Sequence, residues 1–201
     1  FAFRSPHNPN SAFQNSFFPL NSPPSRSPLF APNAAVPNAE GCIADSVPMP
    51  DVSLPGANLR GCSLRDADFS GANLVGASFG QVPADNTIKS LVRINFSGAN
   101  LTDSLFSQAN LSNANFRDAN LTDATLSGCD LSHANLTGSN MEGADLTEAN
   151  LTGAILNGAI LYNVIFSSTV LTDADLAGAA FSNLDRDAPH FRDARIPKIL
   201  D

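Results

Sequence analysis

The sequence lacks several ingredients that catalytic, metal-binding and membrane-spanning proteins use. It has no Trp, one Tyr (Tyr162), three Cys and three His, and neither a CxxC nor an HxxxH spacing. Few ligands are therefore available for a metal cage. The longest apolar stretch, 154–166, is interrupted by Asn157, Gly158 and Asn163, whereas a membrane helix needs about 18 or more apolar residues. We predict a non-enzymatic protein that has no cofactor, no metal and no membrane span.

Charged residues are also scarce and unevenly placed. They make up 15% of the chain, against roughly 25% in an average soluble domain. The formal net charge of −8 argues against binding to nucleic acid, whose phosphates attract bases. Residues 1–39 contain two Arg and no acid, whereas residues 40–201 contain nine bases and all 19 acids. Since the first 50 residues also hold 10 of the 14 Pro and six of the 14 Phe, the chain divides into an apolar, Pro-rich arm and an acidic body.

The acidic body has a period of five residues. From Leu54 to Phe79, and again from Phe96 to Phe181, every fifth residue is Leu, Phe or Met, which gives 24 central residues. A small residue stands two positions before most of them, and it is Ala in 16 of the 24 cases. A period of five residues fits neither the period of about 3.6 residues of an α-helix nor the period of about two of a β-strand. Two inward residues in five predict a corner after each unit, so that four units close a coil, and coils stack at about 4.8 Å. Such coils are stable only as an array.

Units such as ANLTD at 119–123 and ADLTE at 144–148 resemble the pentapeptide-repeat family, whose motif is A(N/D)LXX. The resemblance implies an all-β fold, namely a right-handed quadrilateral parallel β-helix, or solenoid. It does not extend to the first 45 or so residues or to the last twenty. We therefore predict an extended Pro/Phe-rich arm over 1–45, the β-helix over 46–181, and a C-terminal cap or tail over 182–201.

The repeat is interrupted once, and we predict a loop insertion at about 80–95. Leu91 already keeps the register of Phe96, so the extra residues fall between positions 80 and 90. Insertions in repeat proteins often lie on the binding face, which makes Lys89 and Arg93 candidate partner-binding residues. A solvated bulge without a partner is the alternative.

Four apolar residues stand immediately before a central residue, where Asn, Asp or Ser is usual. They are Ile155, Ile160, Ile165 and Val170. Because successive units fall on different sides of a coil, we expect these residues to form a belt, with Tyr162 beside it. An exposed apolar belt is a candidate partner-binding surface. Tighter packing at the corners is the alternative interpretation.

Two of the three cysteines are separated by the length of one coil. Cys42 and Cys62 would lie about 4.8 Å apart in the stack, a separation that permits a disulfide. The alternative is two reduced, buried substitutes for Ala, which is favoured unless the compartment is oxidising. Cys129 has no cysteine at this spacing, and we interpret it as a substitute for Ala.

The N-terminal arm is expected to be extended or disordered in isolation, because its many Pro residues prevent regular structure. Its aromatic residues are candidate partner-binding residues, and they are Phe1, Phe3, Phe13, Phe17, Phe18 and Phe30. The arm is rich in Ser and has Arg but no acid, so it also resembles a plastid transit peptide. A chain that begins with Phe is similar to the imported proteins of red-lineage plastids.

We predict a non-catalytic structural or scaffolding subunit that binds protein partners in a larger assembly, with the arm as a tether. Pentapeptide-repeat proteins are abundant in cyanobacteria and in the thylakoid lumen, so the resemblance suggests a plastid photosynthetic complex, in the lumen or associated with the thylakoid. The alternative is a DNA mimic, because some family members resemble a rod of B-DNA and occupy the DNA site of gyrase. Residues 54–181 have 12 acids and five bases, and six coils at about 4.8 Å make a stack of about 29 Å. Duplex DNA of that length carries roughly 17 charges, so the solenoid has less than half of the charge of DNA. We therefore prefer the scaffold.

Overall fold

The computed structural model describes residues 39, 41–80 and 90–182. Over these ranges the backbone forms a parallel β-helix, because each coil pairs in parallel with the coils before and after it. Most of the pairing consists of isolated bridges. Two short strands, β1 (Ile160–Leu161) and β2 (Ala180–Phe181), pair in parallel with Ile160 opposite Ala180. No helix in the described ranges is long and apolar enough to cross a membrane.

The register of the pairing follows the period of the sequence. Bridges recur every five residues, and bridged residues are 20 apart, as in the series Asn100, Asn120, Asn140 and Ile160. Each coil therefore carries four bridged positions, and each position continues as a line along the stack. We call each of these four lines a face. Pairing begins at Ile43, opposite Ser63, three residues before the predicted start at 46.

Each repeat buries two side chains and turns on the next two residues. In the unit around Leu121, both Leu121 and Ala119 are buried. The N–H of Ala124 then donates to the carbonyl of Leu121 at 3.1 Å, which closes a four-residue turn. Its third residue, Asp123, has a φ of 54°, a left-handed conformation that Gly, Asn and Asp adopt most readily. This requirement explains why Gly and Asp recur two positions after the central residue.

The five-residue step is broken once, and the break is absorbed within one coil. Asp68, Asn73 and Ser78 bridge residues that are 27 positions later, not 20. The coil that contains the insertion is therefore seven residues longer than the others. Gly80 still accepts from the N–H of Gly61, and Ser90 already accepts from the N–H of Leu64. The change from the ordinary step therefore falls between positions 80 and 90.

Phenylalanine fills the core on both sides of the insertion. The rings of Phe79 and Phe106 stack with centroids 4.7 Å apart, and those of Phe96 and Phe116 stack at 5.3 Å. Edge contacts join the two stacks, for example between Phe79 and Phe96 at 5.4 Å. Aromatic pairs of this kind add roughly 0.5–1.5 kcal/mol each to the burial of their area. The coils that border the insertion are therefore held together by one continuous aromatic cluster.

Candidate functional site

The bridged residue immediately before each central residue determines whether the outer surface is polar or apolar at that point. Asn140 shows the usual arrangement. Its Oδ1 accepts from the N–H of Glu142 at 3.1 Å, which caps the turn, and its Nδ2 donates to Oγ1 of Thr122 at 3.1 Å, which links two coils. Equivalent caps occur at Asn100 and Asn120. A residue at this position is thus polar because its side chain accepts from an N–H of the turn and can donate to a neighbouring coil.

One coil replaces this polar arrangement with apolar side chains. Ile155, Ile160, Ile165 and Val170 occupy four successive bridged positions, one on each face. Together with Tyr162 they form what we call the apolar belt, and its members are between 37% and 49% exposed. The structure thus brings the predicted belt residues into one coil, with its four bridged members on four different faces. Isoleucine and valine cannot cap a turn, so the belt exposes apolar area without the hydrogen bonds that Asn supplies elsewhere.

Two further exposed apolar residues were missed by the sequence reasoning. Leu105 is 46% exposed and occupies the same face as Ile165, at a bridged position between Ser78 and Thr125. Ile43 is exposed where the pairing begins. The signal for both was available, because each occupies the position where Asn or Asp is usual. Neither belongs to the belt.

Charge is strongly polarised along the stack. Residues 118–182 contain eight acids and no Lys or Arg. The four Arg of the described ranges all lie earlier, at Arg60, Arg65, Arg93 and Arg117. We call residues 118–182 the anionic half. It includes the whole belt, with Glu142, Asp145 and Glu148 one coil before it and Asp173 and Asp175 immediately after it. The belt is therefore an apolar ring between acidic coils.

An ion pair joins the two coils that border the insertion. Arg93 donates from Nε and a terminal nitrogen to both carboxylate oxygens of Asp66, at 2.6 and 2.7 Å. The hydrogen bond from Arg93 lowers the pKa of Asp66, and the same bond raises the pKa of Arg93. Arg93 is a predicted partner-binding cation, and its side chain pairs with Asp66 while it remains 56% exposed. The other candidate of this segment, Lys89, lies outside the described residues.

The six phenylalanines of the arm also lie outside the described residues. They are Phe1, Phe3, Phe13, Phe17, Phe18 and Phe30.

The cysteines occupy two different environments. Cys42 and Cys62 form a disulfide between the first two coils, with their Cα atoms 4.5 Å apart. Cys129 is a buried free thiol at a position that is usually Ala. Its burial raises the pKa of the thiol to about 12, so it stays protonated and unreactive at neutral pH.

The buried hydroxyl groups near the core are hydrogen-bonded to the backbone. Ser104, Ser139 and Thr169 are buried, and each donates its hydroxyl to a backbone carbonyl at 2.6–2.9 Å. Within the described ranges no buried side-chain polar atom lacks a partner, and no group of three or more His, Cys, Asp or Glu could hold a metal.

Comparison with known proteins gives a consistent family. A family model for pentapeptide repeats matches eight copies over residues 51–81, 90–128, 129–167 and 156–185, more than half of the chain. No curated protein matches the sequence.

Similar solved structures include the pentapeptide repeat protein Rfr23 from the cyanobacterium Cyanothece 51142, with 27% identity over 73% of this chain and 88% of that one, and a TM-score of 0.42. A pentapeptide repeat protein from the Arabidopsis thaliana thylakoid lumen is 32% identical over 58% of this chain and 69% of that one, with a TM-score of 0.26. QnrB1, a plasmid-mediated fluoroquinolone resistance protein, is 18% identical over 75% and 89% of the two chains, with a TM-score of 0.38.

Proposed function

The chain belongs to the pentapeptide repeat family, and on this premise we propose that it is a non-catalytic scaffold that binds protein partners in a larger assembly. One observation carries the proposal: the interior is filled and its polar groups are satisfied, while one coil exposes apolar side chains on all four faces. Exposed apolar surface of this kind is typical of interaction sites. The belt is thus the principal candidate contact surface.

The geometry that we propose for the scaffold is a right-handed solenoid of square cross-section. Four bridged positions in each 20-residue coil support this shape. We also propose that the N-terminal arm tethers the solenoid to its partner through its phenylalanines, and that the residues after the last paired coil cap the stack. Lys89 and the rest of the insertion form a second, smaller contact. Limited proteolysis tests the division, because a paired solenoid resists cleavage and a tether that is free of its partner does not.

Native electrophoresis of extracts from cells that express tagged variants tests the scaffold. The wild-type chain should migrate with a large assembly. A variant with Asn at all four aliphatic belt positions should lose this migration, since Asn is the usual residue there and should leave the coil intact. Leu105→Asn is the matched control, because Leu105 is equally exposed but lies outside the belt, and it should keep the assembly. A wild-type chain that migrates alone, near its own 21.0 kDa, would refute the scaffold.

We place the protein in a plastid, in the thylakoid lumen or associated with the thylakoid. The acid-free, Ser-rich arm supports a plastid address, and the Cys42–Cys62 disulfide supports an oxidising compartment. The test is to alkylate the denatured chain, without a reductant, after purification from fractionated cells that include the cytosol, stroma and thylakoid lumen. One modified cysteine in the lumenal fraction is the expected result, whereas three modified cysteines or a cytosolic location would contradict it.

A second candidate function is mimicry of DNA toward a DNA-handling enzyme such as gyrase. The observation that favours it is the charge of the anionic half. Its eight acids occupy a little over three coils, about 16 Å at the spacing of paired strands, and duplex DNA of that length carries roughly nine charges. The apolar belt interrupts this charge, so we rank mimicry second. Unchanged gyrase supercoiling at micromolar concentrations of the protein would eliminate it.

A further inference from the structure

We infer that the apolar belt is the docking site of residues 1–38 of the same chain. The inference does not depend on the existence of an external partner. It begins from the belt itself, whose five side chains are 37–49% exposed around one coil. A ligand for this surface must supply apolar side chains, because the bridged Ile and Val residues offer no hydrogen bond to a polar one.

The charges around the belt specify the second property of the ligand. The anionic half has eight acids and no Lys or Arg, so it favours a ligand that carries positive charge and no acid. Residues 1–38 meet both requirements. They contain Arg4, Arg26 and six Phe, and no Asp or Glu. The chain therefore contains, in one segment, the apolar and cationic groups that complement the belt.

The distance to the belt is compatible with docking within one molecule. The face that begins at Ile43 reaches Val170 after six coil-to-coil steps, which is about 29 Å at 4.8 Å per step. Residues 1–38 include eight Pro and no Gly, and at about 3.1 Å per residue a Pro-rich chain of this length can span up to about 118 Å. The segment is therefore long enough to reach the belt of its own molecule, where tethering raises its effective concentration. Docking on the chain's own belt is thus favoured over docking on a second copy in dilute solution.

Tyr162 can serve as a fluorescent probe of the belt, because it belongs to the belt and the chain has no other Tyr and no Trp. Acrylamide quenching of its fluorescence in the full-length chain reports whether the belt is covered. At an effective concentration on the order of 1 mM, a weak contact with a similar Kd keeps about half of the molecules closed. A variant with all six arm phenylalanines changed to Ser should therefore show a quenching constant about twofold higher than the wild type. High salt should raise the wild-type constant, because it screens the charges.

A double-mutant design separates docking from a local change at Tyr162. With Ile155, Ile165 and Val170 changed to Asn, removal of the arm phenylalanines should no longer alter the quenching constant. In the matched Leu105→Asn background, removal of the arm phenylalanines should still raise the quenching constant of Tyr162 about twofold, as estimated from the tether.

Three results would overturn the inference. Equal quenching of the wild type and the six-Ser variant would mean that the arm does not cover the belt, which would leave the belt to a separate protein. Protection that increases with protein concentration would mean that the arm docks on a second copy. An undiminished effect of the arm phenylalanines in the belt variant would place the arm elsewhere on the solenoid. These results are measured on the isolated chain, whereas the scaffold is tested by native electrophoresis of extracts, so the failure of one proposal is distinguishable from the failure of the other.

Discussion

The carboxylate of Asp123 occupies the space that a Cβ atom on Gly143, one coil further along, would need. The same relationship joins Asp118 to Gly138, Asp51 to Gly71, and the imidazole of His133 to Gly153. At these corners, a Cβ on the glycine would have to displace the end of the side chain one coil earlier. These contacts lie between coils, so the five-residue motif, which describes a single unit, does not express them.

Replacement of Gly143 by Ala should be more costly than the same change at Gly158. Both glycines have positive φ, 71° and 68°, but a Cβ on Gly158 would meet no atom within 4 Å. The conformational cost of roughly 1–2 kcal/mol is therefore shared, and only Gly143→Ala should add the cost of turning the exposed Asp123 carboxylate aside, up to about 1 kcal/mol. Urea unfolding of both variants measures the difference. In an Asp123→Gly background the excess at Gly143 should disappear, and an excess that persists would mean the carboxylate is not its cause.

Leucine truncation should distinguish inward from outward positions. Leu121 is fully buried and Leu105 is 46% exposed. Leu121→Ala should destabilise the protein by about 3 kcal/mol, because it leaves a cavity in a closed core. Leu105→Ala should cost less than about 1 kcal/mol, as surface changes usually do. Thermal melting of the two variants tests the assignment, and equal losses would contradict it.

The single substitutions Asn140→Ile and Ile160→Asn, at two bridged positions on the same face, should have opposite effects on stability. Asn140→Ile removes the cap on Glu142 and the hydrogen bond to Thr122, and we expect a loss of about 1–2 kcal/mol. Ile160→Asn can form the same cap on the N–H of Tyr162 and should be neutral or stabilising by up to about 1 kcal/mol. Denaturant titration measures both changes. A large loss from Ile160→Asn would support the alternative that the belt residues tighten the corners.

Stability above pH 9 should depend on Cys129. Burial raises the pKa of this thiol from 9.0 to about 12. The unfolded chain therefore releases the proton at a lower pH than the folded chain. The contribution is complete below pH 9 and is lost as the pH rises from 9 toward 12, at about 1.4 kcal/mol per pH unit. Cys129→Ala, which introduces the usual residue of the repeat, should remove this part of the decrease in unfolding free energy with pH. Chemical unfolding at pH 8, 9 and 10 provides the comparison.

The coil could be predicted from the sequence because a packed interior leaves few choices for the buried positions. Leu or Phe and a small residue recur every five residues, and the bridges of the structure recur with them. The start of the stack was harder to place, since Ala44 and Met49 replace the usual Leu or Phe at buried positions. The belt could also be predicted, because Ile155 and its counterparts replace residues whose polar groups cap turns.

The side-chain contacts between coils were harder to predict from the sequence. Arg93 pairs with Asp66, 27 residues earlier, a separation that depends on the length of the insertion and not on the repeat. The conflict between Asp123 and a Cβ on Gly143 depends on side-chain direction at the corners. A periodic pattern fixes which residues are buried, but it does not fix which side chains meet at the surface of adjacent coils.

The insertion has a consequence for engineering. Its seven extra residues are confined to one coil, and the bridges on either side of it, such as Asn58 to Ser78 and Asn95 to Asn115, keep the ordinary step of 20. The solenoid therefore tolerates a change in the length of the chain between Gly80 and Ser90 without propagating it to other coils. We expect this point to accept foreign peptides, which makes the protein a rigid platform for the display of grafted epitopes at a single defined height.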